Sequence, residues 1–335
     1  MKEQRLHRLG DYVLDEKGIP NAGYSTKSDL IFERNKIKAA PWRIKEWDFY
    51  QISDDRKCLQ FTFGHAAYAG QIGVMLFDFK DGTWIATREK MLVLPFNSLK
   101  MPMNADEDGE LIYHKGGIEM SFKTAGEVRT LFCKYQDLET SITLKRKNPH
   151  ALVINLPFDE KKTAFYYNHK INCMTAEGYC KVGNQTYYFD AQNSFGILDW
   201  GRGVWPFSNE WYWSNGTGYI DGEIFGFNLG CGFGNCEAAT ENILFYKGEY
   251  HKLGKVAFHL GKNYMDPWVL QDEDNRIELT LYPTYDRTTK TKLLWVDNCC
   301  HQMFGEFKGY VTLNDGTKLT IENLYSFAEH AVNNW

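Results

Sequence analysis

Residues 50–63 read YQISDDRKCLQFTF, and beyond an acidic segment their apolar and polar side chains alternate. In an extended chain Leu59 and Phe61 point to one face, while Gln60 points to the other. Alternation with a period of two is typical of an antiparallel strand with one buried face. The stretch therefore predicts two strands joined by an acidic turn.

The same pattern occurs a second time. Residues 268–281, WVLQDEDNRIELTL, align with 50–63 without gaps and again place an acidic turn before an alternating strand. A second match follows in the same order, because 68–82, YAGQIGVMLFDFKDG, and 307–316, FKGYVTLNDG, share aromatic-x-Gly and then Val-x-Leu before an acidic glycine turn. Two matches in one order predict an internal repeat of two similar β units.

Turn-forming residues lie between the alternating runs, at 80–82 (KDG), 183–184 (GN) and 314–316 (NDG). Helical periodicity is scarce and is visible only weakly over 84–100. The segment 150–170, HALVINLPFDEKKTAFYYNHK, is the expected join between the units. We therefore predict an all-β protein with one antiparallel barrel in residues 1–160 and a second in 161–335, each long enough to hold one small ligand.

Composition and charge exclude several classes of protein. The chain has 335 residues and a formal net charge of −5, and without a basic block it is not expected to bind nucleic acid. It lacks an apolar run of about 18 residues and a signal-type N-terminus, which predicts a cytoplasmic protein with no integral membrane segment. Its eight cysteines form no CxxC pair, so reduced thiols are expected. We expect no metal and no cofactor, and the sequence leaves a small homo-oligomer open.

The densest unusual chemistry lies in residues 199–216, DWGRGVWPFSNEWYWSNG. Asp199 and Arg202 stand here among four tryptophans, Trp200, Trp205, Trp211 and Trp213. One interpretation is a structural salt bridge between Asp199 and Arg202. The other is an acid in an aromatic pocket, whose raised pKa lets it donate a proton while Arg202 orients it or binds a ligand oxygen. Strand alternation places Trp211 and Trp213 on one face.

Further candidates follow in the second half of the chain. Glycines at 226, 230, 232 and 234 punctuate a predicted strand, and because no parallel βαβ unit surrounds them they mark a bend or a close approach rather than a dinucleotide site. Each other polar candidate also has an ordinary structural interpretation. The remaining candidates are the catalytic residues Glu241 and His251 and the ligand-binding residues His65, Tyr68, Asn228, Asn242, Lys252, Arg287 and Gln302.

Several motifs together resemble a known family. The run D-x-G-R-G-x-W-P at 199–206, the glycine-rich G-x-N-x-G-x-G-F-G stretch after it and the A-E-H at 328–330 are similar to the DUF2804 family, over nearly the whole chain. That family is distantly similar to the lipocalin-like superfamily of carotenoid 1,2-hydratase, AttH-type proteins and fungal Diels–Alderases. The resemblance implies two tandem lipocalin-like barrels, a large apolar substrate and an aspartate acid, for which Asp199 is the best positional match.

The leading hypothesis is an enzyme that hydrates or cyclises an alkene of an isoprenoid-like or polyketide-like substrate, a lyase or isomerase type of reaction. An acid kept neutral by burial would protonate the alkene, and tryptophan faces would stabilise the cation. A cytoplasmic, non-catalytic lipocalin-like binder of a small apolar ligand is one alternative. A carbohydrate-binding or carbohydrate-processing protein is another, and paired carboxyl groups would favour it.

Overall fold

A computed structural model describes residues 2–95, 98–293 and 296–334. Two short 3-10 helices, Arg34–Lys36 and Pro41–Arg43, interrupt an otherwise β-rich chain. The strands of the first sheet are β1 (Gly23–Ser25), β2 (Lys45–Ser53), β3 (Lys57–His65), β4 (Ala69–Asp78), β5 (Thr83–Val93), β6 (Gly109–Lys115), β7 (Ile118–Ala125), β8 (Val128–Tyr135), β9 (Leu138–Lys145), β10 (Leu152–Phe158), β11 (Lys161–Val182), β12 (Gln185–Phe189) and β13 (Phe195–Val204).

A second sheet takes up the rest of the chain. Its strands are β14 (Ser208–Ile220), β15 (Glu223–Cys231), β16 (Ile243–Tyr246), β17 (Glu249–Lys252), β18 (Val256–His259), β19 (Trp268–Asp272), β20 (Ile277–Leu293), β21 (Val296–Thr312) and β22 (Lys318–Asn334). Their spatial order is β17-β16-β15-β14-β22-β21-β20-β19-β18. The path through the first sheet is β5-β4-β3-β2-β13-β11-β9-β8-β7-β6, with β1, β10 and β12 attached beside it.

The two repeated sequence patterns occupy equivalent places in the two sheets. Residues 50–63 form the β2–β3 hairpin and 268–281 form the β19–β20 hairpin, and each is followed by two further antiparallel neighbours. The predicted turns at 80–82, 183–184 and 314–316 each join adjacent strands. The weak helical prediction for 84–100 is wrong up to Val93, because pairing with β4 makes the segment strand β5; residues 96 and 97 lie outside the described residues.

The first sheet curls until distant strands meet. Phe122 on β7 packs against Tyr50 on β2, with ring centroids 5.0 Å apart, and against Phe63 on β3 at 4.7 Å. In the spatial order four strands separate β7 from β2, so a flat sheet would keep these rings far apart. Their contact shows that the sheet wraps around one apolar core.

The second sheet curls in the same way. Tyr212 on β14 lies 5.7 Å from Phe258 on β18, although four strands separate β14 from β18. The chain is therefore built from two curled antiparallel sheets, which confirms the predicted all-β class of two tandem lipocalin-like barrels. None of the helices in the described ranges is both long and apolar enough to pass through a bilayer.

The changeover between the sheets lies between Val204 and Ser208. Strands β11 and β13, which follow the expected join, are hydrogen-bonded within the first sheet. The division into domains 1–160 and 161–335 stays a prediction. The sheets pack on each other through aromatic side chains, with Phe77 and Phe304 at 4.6 Å, and through the side chain of Gln51, which donates to Ser326 Oγ at 3.1 Å.

Candidate functional site

A cavity of about 410 Å³ lies between the two sheets. Its size falls in the range of roughly 300–1,000 Å³ that small-molecule sites occupy. The aromatic part of its wall is Trp47, Phe49, Tyr68, Tyr166, Trp205, Trp211, Trp213 and Phe233. Because both sheets contribute, the cavity belongs to neither barrel interior.

Side chains alternate along β13, so the motif at 199–202 contributes residues to both faces of the first sheet. Asp199 lines the cavity, whereas Trp200 and Arg202 point into the core of the first barrel. Gly201 lies on the Asp199 side, where an added Cβ would overlap the indole ring of Trp47. Glycine at this position therefore gives the Trp47 indole the space it occupies in the cavity wall.

The centre of the site is an ammonium group among carboxyl groups. Lys170 on β11 is 3 % exposed, and its Nζ lies 3.1 Å from Asp199 Oδ1 and 3.8 Å from Glu241 Oε2. The same Nζ lies 4.2 Å from the centroid of Trp213. Asn168 Nδ2 donates to Asp199 Oδ1 at 2.6 Å. Asp199 thus accepts a hydrogen bond from Asn168 and forms an ion pair with Lys170, which lies against the aromatic wall.

Glu241 and Glu329 differ from Asp199 in their surroundings. Burial raises the pKa of Glu241 to about 7, an effect that the nearby charge of Lys170 reduces without cancelling. Burial also raises the pKa of Glu329, which accepts from Trp211 Nε1 at 2.7 Å and from Gln302 Nε2 at 3.1 Å. The site therefore holds protonatable carboxyl groups beside tryptophan rings.

A glycine allows Glu241 to reach this position. Gly230 on β15 lies directly beneath the Glu241 side chain, and an added Cβ would overlap Glu241 Oε1. The glycine-rich stretch was expected to mark a bend or a close approach, and at this position the group that approaches is a carboxyl of the chain itself. We call Gly230 and the Glu241 side chain packed on it the cradle; it holds Glu241 against the cavity.

The structure brings together part of the predicted set. The candidates that line the cavity are Asp199, Glu241, His65, Tyr68, Trp205, Trp211, Trp213, Arg287 and Gln302. Trp211 and Trp213 share the cavity face while Tyr212 packs on the other side of the sheet, as alternation predicts.

Trp200 and Arg202 lie elsewhere. Arg202 is fully buried, its Nη2 lies 2.8 Å from Asp48 Oδ1, and its guanidinium stacks on Trp200 at 3.9 Å. It also donates to the backbone carbonyls of Pro102 and Trp47. The expected salt bridge between Asp199 and Arg202 is therefore wrong, because Asp199 points to the opposite face of β13. Arg202 pairs with Asp48 and, with its Nε at 3.5 Å, with Glu46 Oε1.

Four further candidates support the fold near the cavity without lining it. Asn228 Oδ1 accepts from Trp213 Nε1 at 2.7 Å, and Asn242 Oδ1 accepts from the Gly230 N–H at 2.7 Å. Lys252 Nζ donates to the carbonyls of Thr240 and Asn242. His251 Nδ1 accepts from the Asn314 N–H at 3.1 Å. These contacts hold the strands and turns from behind the wall.

Sequence reasoning missed Lys170, Glu329 and Lys45. Lys170 ends the run FYYNHK, in which alternation would have placed Tyr166, Asn168 and Lys170 on one face, but the segment was assigned to the join. Glu329 lies in the A-E-H motif at 328–330, which in the sequence indicated only the family resemblance. Lys45 lines the opposite end of the cavity, where its Nζ donates to the Tyr68 hydroxyl at 2.7 Å and burial lowers its pKa to about 7.

Solved structures share this fold at low sequence identity. Kievitone hydratase from Nectria haematococca is 10 % identical with a TM-score of 0.58, covering 92 % of this chain and 97 % of its own. CghA with Sch210972 is 11 % identical with a TM-score of 0.56, covering 97 % of both chains. A putative AttH from Nitrosomonas europaea is 11 % identical with a TM-score of 0.52, covering 87 % and 92 %.

These identities establish a common fold and nothing finer. A comparison with proteins of curated function gives no match. The model of a domain of unknown function, DUF2804, matches residues 3–335, the same family that the sequence motifs resemble. The chain therefore belongs to the DUF2804 family.

Proposed function

We propose that the protein is an enzyme that protonates an alkene of a lipophilic substrate in the cavity between the sheets, leading to hydration or cyclisation. Glu241 is the acid. The observation that carries the proposal is a buried carboxyl group whose pKa is raised to about 7, placed next to tryptophan faces in a cavity of ligand size. An acid with this pKa is still partly protonated at neutral pH and is regenerated readily.

The chemistry follows from the neighbours of Glu241. Transfer of its proton to one alkene carbon leaves a cation on the other, and a tryptophan face stabilises a desolvated cation by about 2 kcal/mol. Trp211 on the cavity wall offers such a face, since the ring of Trp213 already holds the Lys170 ammonium at 4.2 Å. That ammonium, 3.8 Å from Glu241 Oε2, stabilises the carboxylate that remains. The site can therefore hold Glu241 both as the neutral acid and as the carboxylate.

We assign the second step of the reaction to Glu329 and Gln302. Gln302 Oε1 is buried and accepts no hydrogen bond within the described part of the chain, while its Nε2 donates to Glu329. A water held by Gln302 Oε1 and Glu329 would add to the cation in a hydratase and give its proton to Glu329. In a cyclase, loss of a proton to Glu329 would end the reaction after ring closure.

Glu241 replaces Asp199 as the favoured acid for a geometric reason. Asp199 Oδ1 already accepts from Asn168 and lies 3.1 Å from the Lys170 ammonium. We assign Asp199 the positioning of Lys170. The name of kievitone hydratase, which shares the fold, agrees with a hydration reaction and supports no particular substrate for this chain.

The test uses the purified protein with an apolar extract of the source cells, followed by mass spectrometry and chromatography of the released compounds. A compound heavier by one water supports a hydratase, and a compound of equal mass but new retention supports a cyclase. In heavy water either product should carry one carbon-bound deuterium. Glu241→Gln should abolish product formation while retaining ligand, whereas Asp199→Asn should lower the rate without abolishing it.

A ligand released unchanged by both proteins would overturn the enzyme proposal in favour of the binder. Product formation at full rate by Glu241→Gln would overturn the assignment of the acid. Absence of any retained apolar compound, together with a response of tryptophan fluorescence to soluble sugars, would instead support the carbohydrate alternative.

A further inference from the structure

A second polar group of residues lies at the far end of the cavity wall. On β2, Lys45 pairs with Gly203 and Phe49 pairs with Asp199. Four residues along a strand span about 13 Å. Lys45 and Asp199 both line the cavity, so its two polar ends stand roughly this far apart with Trp47 between them.

The Lys45 end presents hydrogen-bond donors. The Lys45 side chain is buried, its Nζ donates to the Tyr68 hydroxyl oxygen at 2.7 Å, and it also lies 4.4 Å from the centroid of the Tyr68 ring. Because that oxygen accepts from the amine, the Tyr68 hydroxyl proton is directed toward a different acceptor. The pair can therefore give one ligand oxygen an ammonium hydrogen and a phenol hydrogen.

The charges around the pair favour an anion. Burial and then the positive charge of Arg43 lower the pKa of Lys45 to about 7, so a negative charge in the cavity would relieve the repulsion. His65 and Glu46 line the same end but pair with each other at 3.4 Å, and Glu46 is also paired with Arg34. Within the described part of the chain, the lowered pKa of Lys45 thus reflects burial and a neighbouring cation, and the Tyr68 phenol lies within hydrogen-bond distance.

We propose that Lys45 and Tyr68 bind the carboxylate of an unsaturated lipophilic acid whose reacting alkene lies at the other end of the cavity, beside Lys170 and Glu241, with the backbone positions of the two ends about 13 Å apart. The inference rests on the proposed function and adds a substrate class to it. The apolar chain would lie along Trp47 and Phe49, which connect the two ends of the wall. An anion beside Lys45 returns this amine to the ammonium form, so binding takes up a proton near neutral pH.

The experiment compares three probes of one chain length by tryptophan fluorescence and calorimetry: undecylenic acid, undecylenyl alcohol and methyl undecylenate. A hydrogen-bonded charge of this kind predicts that the acid binds about 10- to 100-fold more tightly than the alcohol. Its affinity should fall as the pH rises above about 7, because Lys45 then loses its proton. The affinity of the alcohol should not change with pH.

Lys45→Met should remove the preference for the acid, and Tyr68→Phe should reduce it several-fold. Lys252→Met is the matched control, because Lys252 is equally buried and burial lowers its pKa to about 7, yet it lies off this cavity wall. Thermal melting of each variant establishes that it is folded. Equal affinity for acid and alcohol, a preference that survives Lys45→Met, or tighter binding of the acid at high pH would overturn the proposal.

The binding test is independent of turnover. If the protein forms no product but still prefers undecylenic acid in a way that depends on Lys45, the carboxylate-binding site is retained and the proposal of an enzyme is overturned. Product formation without any preference for undecylenic acid would retain the enzyme proposal and overturn the carboxylate-binding site.

Discussion

Lys170 Nζ lies 3.1 Å from Asp199 Oδ1, across the neighbouring strands β11 and β13. This one ammonium also faces Glu241, and Glu329 stands on the same cavity wall. Three ionised carboxylates around a single cation would leave uncompensated charge in a buried site, which is costly. Burial is the main cause of the raised pKa values of Glu241 and Glu329, and the charge of Asp199 adds to the rise in both.

A first prediction concerns the pH dependence of stability. The pKa of Glu241 is about 7 in the folded protein against 4.5 as its ordinary value, so the folded state holds this proton more tightly than the unfolded state. The contribution of Glu241 to stability is therefore fully present below pH 4.5 and is lost as the pH rises through about 7. The difference between 4.5 and 7 is worth roughly 3 kcal/mol.

Urea unfolding of the parent protein and of Glu241→Gln, repeated across this pH window, measures the effect. The free energy of unfolding of the parent should fall relative to that of the variant as the pH rises. Glu223→Gln is the control, because Glu223 on β15 is exposed and lies outside the cavity wall. Parallel pH curves for the parent and Glu241→Gln would show that Glu241 has an ordinary pKa and would remove the basis for its role as acid.

The fold could be predicted from sequence because its signals are local. Alternation in 50–63 and in 268–281 identifies two hairpins, and the shared order of the matches identifies the repeat. The segment 84–100 was mistaken for a weak helix because its strand character depends on pairing with β4. The sequence also predicts barrels and therefore curled sheets, but the order of the strands could not be derived, since it is set by contacts between residues far apart in the chain.

A second prediction tests the cradle beneath the acid. Gly230→Ala would place a methyl group against Glu241 Oε1 and force the carboxyl to move. A displacement of about 1 Å is enough to slow catalysis on the order of 100-fold, and the crowding should cost about 1–3 kcal/mol of stability. Turnover and thermal melting measure the two effects.

Gly218→Ala on β14 is the matched control, since its added Cβ would lie 3.7 Å from Leu324 Cδ1, an ordinary contact. We expect both activity and stability to be almost unchanged there, within about 0.5 kcal/mol. If Gly230→Ala is as harmless as this control, the close approach of Glu241 has no catalytic importance.

A third prediction separates two tryptophans that the sequence places in one group. Trp213→Phe should weaken ligand binding and slow turnover about tenfold or more, because phenylalanine is a poorer partner for the Lys170 ammonium that the Trp213 ring holds beside Glu241. Trp200→Phe should leave binding and turnover unchanged and lower the free energy of unfolding by about 1–3 kcal/mol, because Trp200 packs in the first barrel core. Fluorescence titration and urea unfolding distinguish the two. A binding defect in Trp200→Phe alone would place the ligand inside the barrel.

Only those residues of the candidate site that lie close together in the sequence could be predicted. The stretch 199–216 indicated an aromatic wall, and Trp205, Trp211 and Trp213 do line the cavity. Lys170 and Glu329 come from other strands, and only the register of β11 and β22 brings them beside these residues. Partners across a sheet cannot be assigned without the register, so the central cation was missed.

A final prediction distinguishes the structural role of Arg202 from the ligand-binding role that the sequence suggested. Arg202→Gln leaves the buried Asp48 carboxyl without its cation, and breaking a buried pair in this way costs about 3–5 kcal/mol. Adding Asp48→Asn removes the unpaired carboxyl and should recover part of the loss, since a neutral amide is easier to bury than a charge. Urea unfolding of the two single variants and the double variant forms a complete cycle. If Arg202 instead binds a ligand carboxylate, Arg202→Gln will reduce the affinity for undecylenic acid while the fold keeps its stability, and Asp48→Asn will restore nothing.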